Sequence, residues 1–506
     1  MSLGLARLFD DSVAEQMDSV ASTDERERDA LSPVRALARQ AFSRAASAPL
    51  VEGNQVRLLT NAAENYPAWL DAIAAAKRYV HFESYIINED AAGRMFADAL
   101  IAKAQEGVPV RLLYDWLGCF GKASRGFWKR LRAAGVEVRC YNPPRWGSPF
   151  GWLSRDHRKT LSVDGQIAFV SGLCVGQMWL GDAEKHIAPW RDTGVELRGP
   201  AVASVEQAFA AVWAMLGIPI PESELSGAGA QAGGVALRVV ATVPAIAGML
   251  RVNELVAALA SERLWLTDPY FSGTPAYVES LRSAAKDGVD VRLLVPNATD
   301  IPLLKPLSRA GYRTLLEARV RVFEWNGPMI HAKTAVADTR WARVGSSNLN
   351  IASWFGNCEM DVLIEDEAFA RLMEQGYLQD LENATELVLD AGNKLRAPNQ
   401  PTRSRAPSRG SGSVGRAAAG AIRIGNTVGA AFANRRVMEP VEARITLTGG
   451  VFLLVLSILF AFFPRVLAYP LVFVGAWIAL SLLHKGYQLQ RAKARREKRR
   501  EPEPPR

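Results

Sequence analysis

Residues 156–172 read DHRKTLSVDGQIAFVSG and residues 330–348 read IHAKTAVADTRWARVGSSN. Each stretch holds a histidine, a lysine two positions on and an aspartate five beyond that: His157, Lys159 and Asp164, then His331, Lys333 and Asp338. The chain has five histidines in 506 residues, so two of them occupy one repeated context. Alternate side chains of a strand share a face, which presents His157 with Lys159 and His331 with Lys333 to a common surface. Asp164-Gly165 is a two-residue hairpin signal and Asp338-Thr339 fills the matching place, so both aspartates read as turn-fixing residues. A hairpin folded about such a turn sets Gly172 opposite His157 and Ser346 opposite His331. Small residues there leave room for a substrate oxygen beside each imidazole.

The repetition extends upstream. AAKRYVHFESYI and GVPVRLLYD in residues 75–115 have counterparts in LASERLWLTDPYF and GVDVRLLVP of residues 258–296. Short β-branched and aromatic runs alternate with amphipathic helices such as 91–105, the pattern of strand-helix-strand units. The expected class is α/β: two duplicated lobes, each a mixed β-sheet flanked by helices, sharing one active site. The expected division is an N-terminal arm or helix over 1–50, lobes over 51–225 and 226–395, and a flexible basic linker over 396–440. SGAGAQAGG at 226–234 joins the lobes, and PNQPTRSRAPSRGSGSVGR opens the linker.

Beyond the linker, residues 445–463 and 467–483 are nearly continuous hydrocarbon, each near the length of a bilayer crossing. They predict a transmembrane hairpin over 441–485, followed by a basic disordered tail over 486–506. Arg435, Arg436 and Arg444 precede it, and Lys485 and QRAKARREKRR follow, which sets both ends in the cytoplasm. The net charge of +8 therefore points to an anionic membrane surface rather than to nucleic acid. A solvated tail is the other reading of the terminal run. The cysteines, Cys119, Cys140, Cys174 and Cys358, lack metal-ligand spacing and read as reduced. No cleavable signal peptide is expected at the N-terminus.

An imidazole beside an ammonium group, with space in front, suits a phosphate ester. Lysine neutralises non-bridging oxygens, one histidine attacks phosphorus, and the other protonates the leaving alcohol. One histidine from each repeat makes a single site between the halves. Neither a metal nor a cofactor is needed.

These paired motifs, with Gly345-Ser346-Ser347-Asn348 after the second, resemble the HKD signatures of the phospholipase D superfamily. FESYIINEDAAGRMFADAL, SRDHRKTLSVDG, WRDTGVELRGPAV and NCEMDVLIED narrow the resemblance to bacterial cardiolipin synthases, over about residues 56–382. The resemblance implies a phosphatidyl-histidine intermediate, with His157 as nucleophile and His331 as general acid and base, although the reverse order is open. It implies that Lys159, Lys333, Ser346 and Asn348 surround the phosphate. Asp192 of Trp-Arg-Asp and Glu359 of Cys-Glu resemble the carboxylates that accept from the other imidazole nitrogen and set its tautomer. In one departure, Cys174 stands where the family carries asparagine, and a thiol is a poor substitute for an amide donor.

The expected function is phosphatidyl transfer from one phosphatidylglycerol to another at the cytoplasmic face of a bacterial membrane, releasing glycerol. The alternatives are a phospholipase D that yields phosphatidic acid, and a silent membrane scaffold. The segment from Phe120 through FWKRLR to PPRWGSPFGWLSR, with Trp146, Phe150 and Trp152, is expected to dock on anionic lipid; Phe127 and Trp128 read equally as part of that surface or as core aromatics of an amphipathic helix.

Overall fold

Period-two strands and capped amphipathic helices assemble one topology twice. The computed structural model describes residues 37–144, 153–227, 229–298, 304–389, 395–396 and scattered positions from 454 to 487. In the first half, β2 (Val80–Ser84), β3 (Val110–Asp115) and β4 (Glu137–Tyr141) run parallel. They are linked by α2 (Ala91–Gln105) and α3 (Arg125–Ala133). The antiparallel strands β6 (Lys159–Val163), β7 (Ile167–Ser171) and β8 (Thr193–Arg198) then continue the sheet from β2. A two-residue strand β5 (Arg155–Asp156) precedes them.

The second half repeats this order. β10 (Arg263–Thr267), β11 (Asp290–Pro296) and β12 (Arg321–Trp325) are parallel, and β13 (Thr334–Ala337), β14 (Trp341–Gly345) and β15 (Asn357–Glu365) extend the sheet from β10. The seam is β1 (Val51–Thr60), which pairs with β8 on one side and with β9 (Val235–Thr242) on the other. β9 in turn pairs with β15. The result is a mixed α/β fold with a large mixed sheet.

Alternation along the strands sorts side chains into separate cores. Phe169 of β7 points to an outer core shared with Trp69, Phe82 and Phe96, while Ala168 and Val170 point inward. The inner core joins the halves: Val170, Val195 and Leu197 meet Leu237, Val239, Val344, Met360 and Val362. Asp90 caps α2 by accepting from the Gly93 N–H, and the helix buries Ala92, Phe96, Ala97 and Leu100 against the first outer core. A helix over residues 37–46, α1, lies on the second half, where Phe42 meets Trp341.

The segment expected to form a membrane hairpin lies largely outside the described residues. Among the described residues no helix is long and apolar enough to cross a membrane. Trp146, Phe150 and Trp152 also lie outside them. Phe127 and Trp128 are core residues of α3 rather than lipid-facing ones: both are buried, and Trp128 stacks on Tyr114 with centroids 3.8 Å apart. Spacing on an amphipathic helix reads alike for a core face and a bilayer face.

The hairpin register also differs from the expected one by a single residue, in both halves. Val163 pairs with Ile167 and Ala337 with Trp341, leaving three residues in each turn rather than two. Asp164 and Asp338 occupy the left-handed region, at φ 57° and 49°. The Asp164 carboxylate accepts from the backbone N–H groups of Lys77, Arg78 and Tyr79, at 2.7–2.9 Å. Asp338 accepts likewise from Ser261, Glu262 and Arg263, at 2.8–2.9 Å. Each aspartate thus ties its turn to the entry of the neighbouring parallel strand. Replacing Asp164 with Ala removes three charge-assisted bonds, and replacing Asp338 removes four, since the Ser261 hydroxyl also donates to it. Asp338→Ala is expected to destabilise the fold by about 3 kcal/mol in a denaturant titration, with residual activity following the folded fraction.

Candidate active site

Each histidine sits on the short bend that leads into its hairpin, just before β6 or β13. The bend is held by the opposite half. β5 pairs in parallel with the start of β15, Arg155 beside Asn357 and Asp156 beside Cys358, and the His157 N–H donates to the Cys358 carbonyl at 2.9 Å. The mirror arrangement is a parallel bridge between Arg191 and Ile330, with the His331 N–H donating to the Arg191 carbonyl at 2.7 Å. The residue that follows each of those carbonyls is a carboxylate.

Two crossed pairs result. His157 Nδ1 lies 2.9 Å from Glu359 Oε2, and His331 Nδ1 lies 2.7 Å from Asp192 Oδ2. Both carboxylates are fully buried and further held. Trp179 Nε1 donates to Asp192 Oδ2 at 3.0 Å, and the Thr193 N–H donates to Oδ1 at 2.9 Å. Ser346 Oγ donates to Glu359 Oε2 at 2.6 Å, and Asn357 Nδ2 donates to Oε1 at 3.1 Å.

The shifted register explains where Gly172 and Ser346 go. Neither stands opposite its own histidine; each meets the carboxylate that serves the other half's histidine. A Cβ at Gly172 would lie 2.2 Å from Asp192 Oδ1, so only glycine fits there. Ser346 is fully buried, and its hydroxyl also accepts from the Met360 N–H at 2.9 Å. Its donor hydrogen and one acceptor lone pair are used within the protein.

Lys159 and Lys333 are buried, and each ammonium rests against the carbonyl of the histidine two residues before it. Lys333 Nζ also lies 3.0 Å from His331 Nε2. Lys159 lies over the Tyr85 ring at 5.3 Å, and that ring meets His157 edge-on at 4.8 Å. Trp179 and Trp190 flank His331, each at 5.7 Å. Asn348 is buried with its Oδ1 unpaired. Cys174, the same 17 residues after its histidine as Asn348, is also buried, and burial raises its thiol so that it stays protonated. Among the described residues no cluster of three or more His, Cys, Asp or Glu side chains could hold a metal ion.

Burial dominates the imidazoles. It lowers His157 to about 4 despite the pull of Glu359, and it lowers His331, with help from Lys333, to about 3. The charge of each lysine also depresses the histidine of the other half, so all four side chains share one electrostatic cluster. Burial opposes ionisation of Glu359, yet His157, Lys159 and Ser346 bring it down to about 2. Asp192 is lowered too, because His331, Lys333 and Trp179 outweigh its burial. Burial lowers Lys333 to about 8. At neutral pH both carboxylates are therefore ionised and both imidazoles neutral. An ionised acceptor at Nδ1 requires Nδ1–H, which leaves the lone pair on Nε2 of each ring.

Several contributors have no signature in the sequence motifs. Arg158, between the motif histidine and lysine, is buried and donates to the carbonyls of Glu359, Ala208 and Thr242. Its charge in the middle of HRK, where the second motif has HAK, was the available signal. Asp115, at the end of β3, accepts from Arg155 Nη1 and from the Asp156 N–H and so sets the approach to His157. Tyr85 lies in the FESYIINED stretch that carries the family resemblance, whereas Trp179 carries no such signal.

The family model described as "Cardiolipin synthase, PLD-like domain" matches residues 69–178 and 255–381, one span around each histidine motif. Cardiolipin synthase 2 of Bacillus anthracis is 35% identical over 350 residues, covering 68% of this chain and 67% of the relative. The chain belongs to the cardiolipin synthase family. Cardiolipin synthase A of Pseudomonas aeruginosa PAO1 is likewise 35% identical over 376 residues, 71% of this chain and 74% of the relative. In fold, this family member resembles the crystal structure of phosphatidylserine synthase from Haemophilus influenzae, with a TM-score of 0.56 at 16% identity, over 69% of this chain and 92% of that one.

The neutral, buried imidazoles have a measurable consequence. Below about pH 6.5 the unfolded chain takes up protons that the folded chain refuses until about pH 4 at His157 and about pH 3 at His331. Stability is therefore expected to fall as pH drops through that window. A chain with both His157→Gln and His331→Gln should show a flatter denaturation midpoint between pH 6.5 and 4.

Proposed function

We propose that this chain is a cardiolipin-forming phosphatidyltransferase whose two halves share one active site. The observation that carries the reading is the crossed pair of imidazole–carboxylate contacts, each with a buried lysine beside it, in a member of the cardiolipin synthase family.

On this reading His157 Nε2 attacks the phosphorus of one phosphatidylglycerol, and the bond from phosphorus to the glycerol headgroup oxygen breaks. The departing oxygen takes its proton from the His331 imidazolium. An anionic phosphodiester beside that ring favours its protonated form, countering the effect of burial. In the second half-reaction neutral His331 accepts the proton of a hydroxyl on a second phosphatidylglycerol. The oxygen so activated attacks phosphorus and displaces His157, giving cardiolipin. One phosphodiester replaces another, so no nucleotide is consumed.

The assignment of His157 as nucleophile is supported by an asymmetry. Lys333 Nζ lies 3.0 Å from both ring nitrogens of His331, whereas Lys159, which like Lys333 rests against the carbonyl of its own histidine, has its further contact over the Tyr85 ring. Asp192 and Glu359 hold the tautomers, Lys159, Lys333 and Asn348 bind the phosphoryl oxygens, and Ser346 is a positioning residue for Glu359. Asp164 and Asp338 serve the turns. The apolar segment of 441–485 is a membrane hairpin that tethers the lobes at the cytoplasmic face, with basic sequence at both of its ends.

Incubation with phosphorus-labelled phosphatidylglycerol followed by acid-free denaturation should trap one acid-labile phosphohistidine per chain, at His157. The products should be cardiolipin and glycerol; phosphatidic acid alone would make the protein a hydrolase, and absence of any trapped label would make it a scaffold. His157→Asn and His331→Asn should each lower turnover by at least about a thousand-fold. Ser346→Ala should lower kcat about ten-fold by removing a bond to an ionised carboxylate. Because transfer needs a charged Lys333, kcat/KM should decline above about pH 8.

A further inference from the structure

The strand directions bring a distinctive set of loops to one edge. β2, β3, β4 and β7 end at the edge where β6 and β8 begin, the edge that carries His157 and Asp192. β9 and β14 end where β15 begins, beside Glu359. The crossed contacts make these one edge. The loops that leave it hold Phe120 after β3, Leu180 and Ile187 between β7 and β8, Ile246 after β9 and Phe355 between β14 and β15.

All five side chains are solvent-exposed: Phe120 62%, Ile246 45%, Phe355 44%, Ile187 39% and Leu180 37%. The loops are braced. The Glu89 N–H donates to the Lys122 carbonyl and the Ser124 N–H to Glu89 Oε2, which fixes the Phe120 turn. Ile187 and Asp182 exchange backbone bonds, and the Ala245 N–H donates to the Phe355 carbonyl. Apolar tips on braced loops lose little conformational freedom on docking. The flank is cationic: residues 116–133 carry five Lys or Arg and no acid, and Arg125 and Lys129 lie one turn apart on the exposed face of α3.

We propose that this edge is itself a docking surface for an anionic bilayer, with Phe120, Ile187 and Phe355 entering the acyl boundary and Arg125 and Lys129 meeting the headgroups. The proposal rests on the reading that the substrate is a bilayer phospholipid. Docking brings the lipid headgroup to the histidines without lifting the whole lipid into water and shields the histidine edge from hydrolysis. The edge sets the orientation of the active site on the bilayer.

The test uses the full chain with Phe120→Asp, Ile187→Asp and Phe355→Asp combined, on two substrates. With long-chain phosphatidylglycerol in vesicles kcat/KM should fall at least ten-fold; with monomeric dihexanoyl phosphatidylglycerol it should stay within two-fold of the unsubstituted chain. Loss on both substrates, or on neither, overturns the proposal. A bimane placed on Phe120→Cys should be quenched by brominated acyl chains in phosphatidylglycerol vesicles, and Arg125→Glu with Lys129→Glu should weaken that quenching. Absence of quenching also overturns docking. An unsubstituted chain inactive on both substrates but still quenched would defeat the enzymatic reading while supporting the docking surface.

Discussion

The constraint on which the site depends is a pair of short parallel backbone contacts between the halves. They run from Arg155–Asp156 to Asn357–Cys358 and from Ile330 to Arg191. Each places a histidine beside a carboxylate of the other half, so neither half can orient its own imidazole. The inner core of β7, β8, β9, β14 and β15 side chains holds those contacts in register. A change in how the halves pack would therefore disturb both histidines together.

Burial then determines the chemistry. Removing the imidazoles from water keeps them neutral, while hydrogen bonds from histidine, tryptophan and serine and the charge of the lysines keep the buried carboxylates ionised. The combination fixes Nδ1–H and leaves Nε2 as the reactive nitrogen. The two ammonium groups in the same enclosure balance the charge of the two carboxylates, while the carboxylates are engaged with the imidazole Nδ1 atoms. Pseudo-symmetry supplies both imidazoles; departures from it, such as Cys174 opposite Asn348 and Gly172 opposite Ser346, are where the two can take different roles.

The sequence carried the site's chemistry more clearly than its geometry. His157, Lys159, His331 and Lys333 were legible because one spacing occurs twice, and the duplicated strand order was legible from the alternation of apolar runs and helices. The crossed pairing was not, because His157 and Glu359 are 202 residues apart and His331 and Asp192 are 139 apart. Spacing along a chain does not reveal which half supplies a partner. The one-residue register error came from the turns: Asp-Gly suggests two central residues, but Gln166 and Arg340 complete three-residue turns, and that shift moves Gly172 and Ser346 from the histidines to the carboxylates. Phe127 and Trp128 were ambiguous because a core face and a lipid face have the same helical period.

Convergence of two imidazoles on one phosphorus is the central claim, and a transition-state analogue tests it most directly. A crystal structure with orthovanadate is predicted to hold one vanadate per chain, bonded to His157 Nε2, with His331 Nε2 within hydrogen-bonding distance of the opposite apical oxygen. A vanadate bound at one histidine with the other ring out of reach, or a separate vanadate at each, would contradict it.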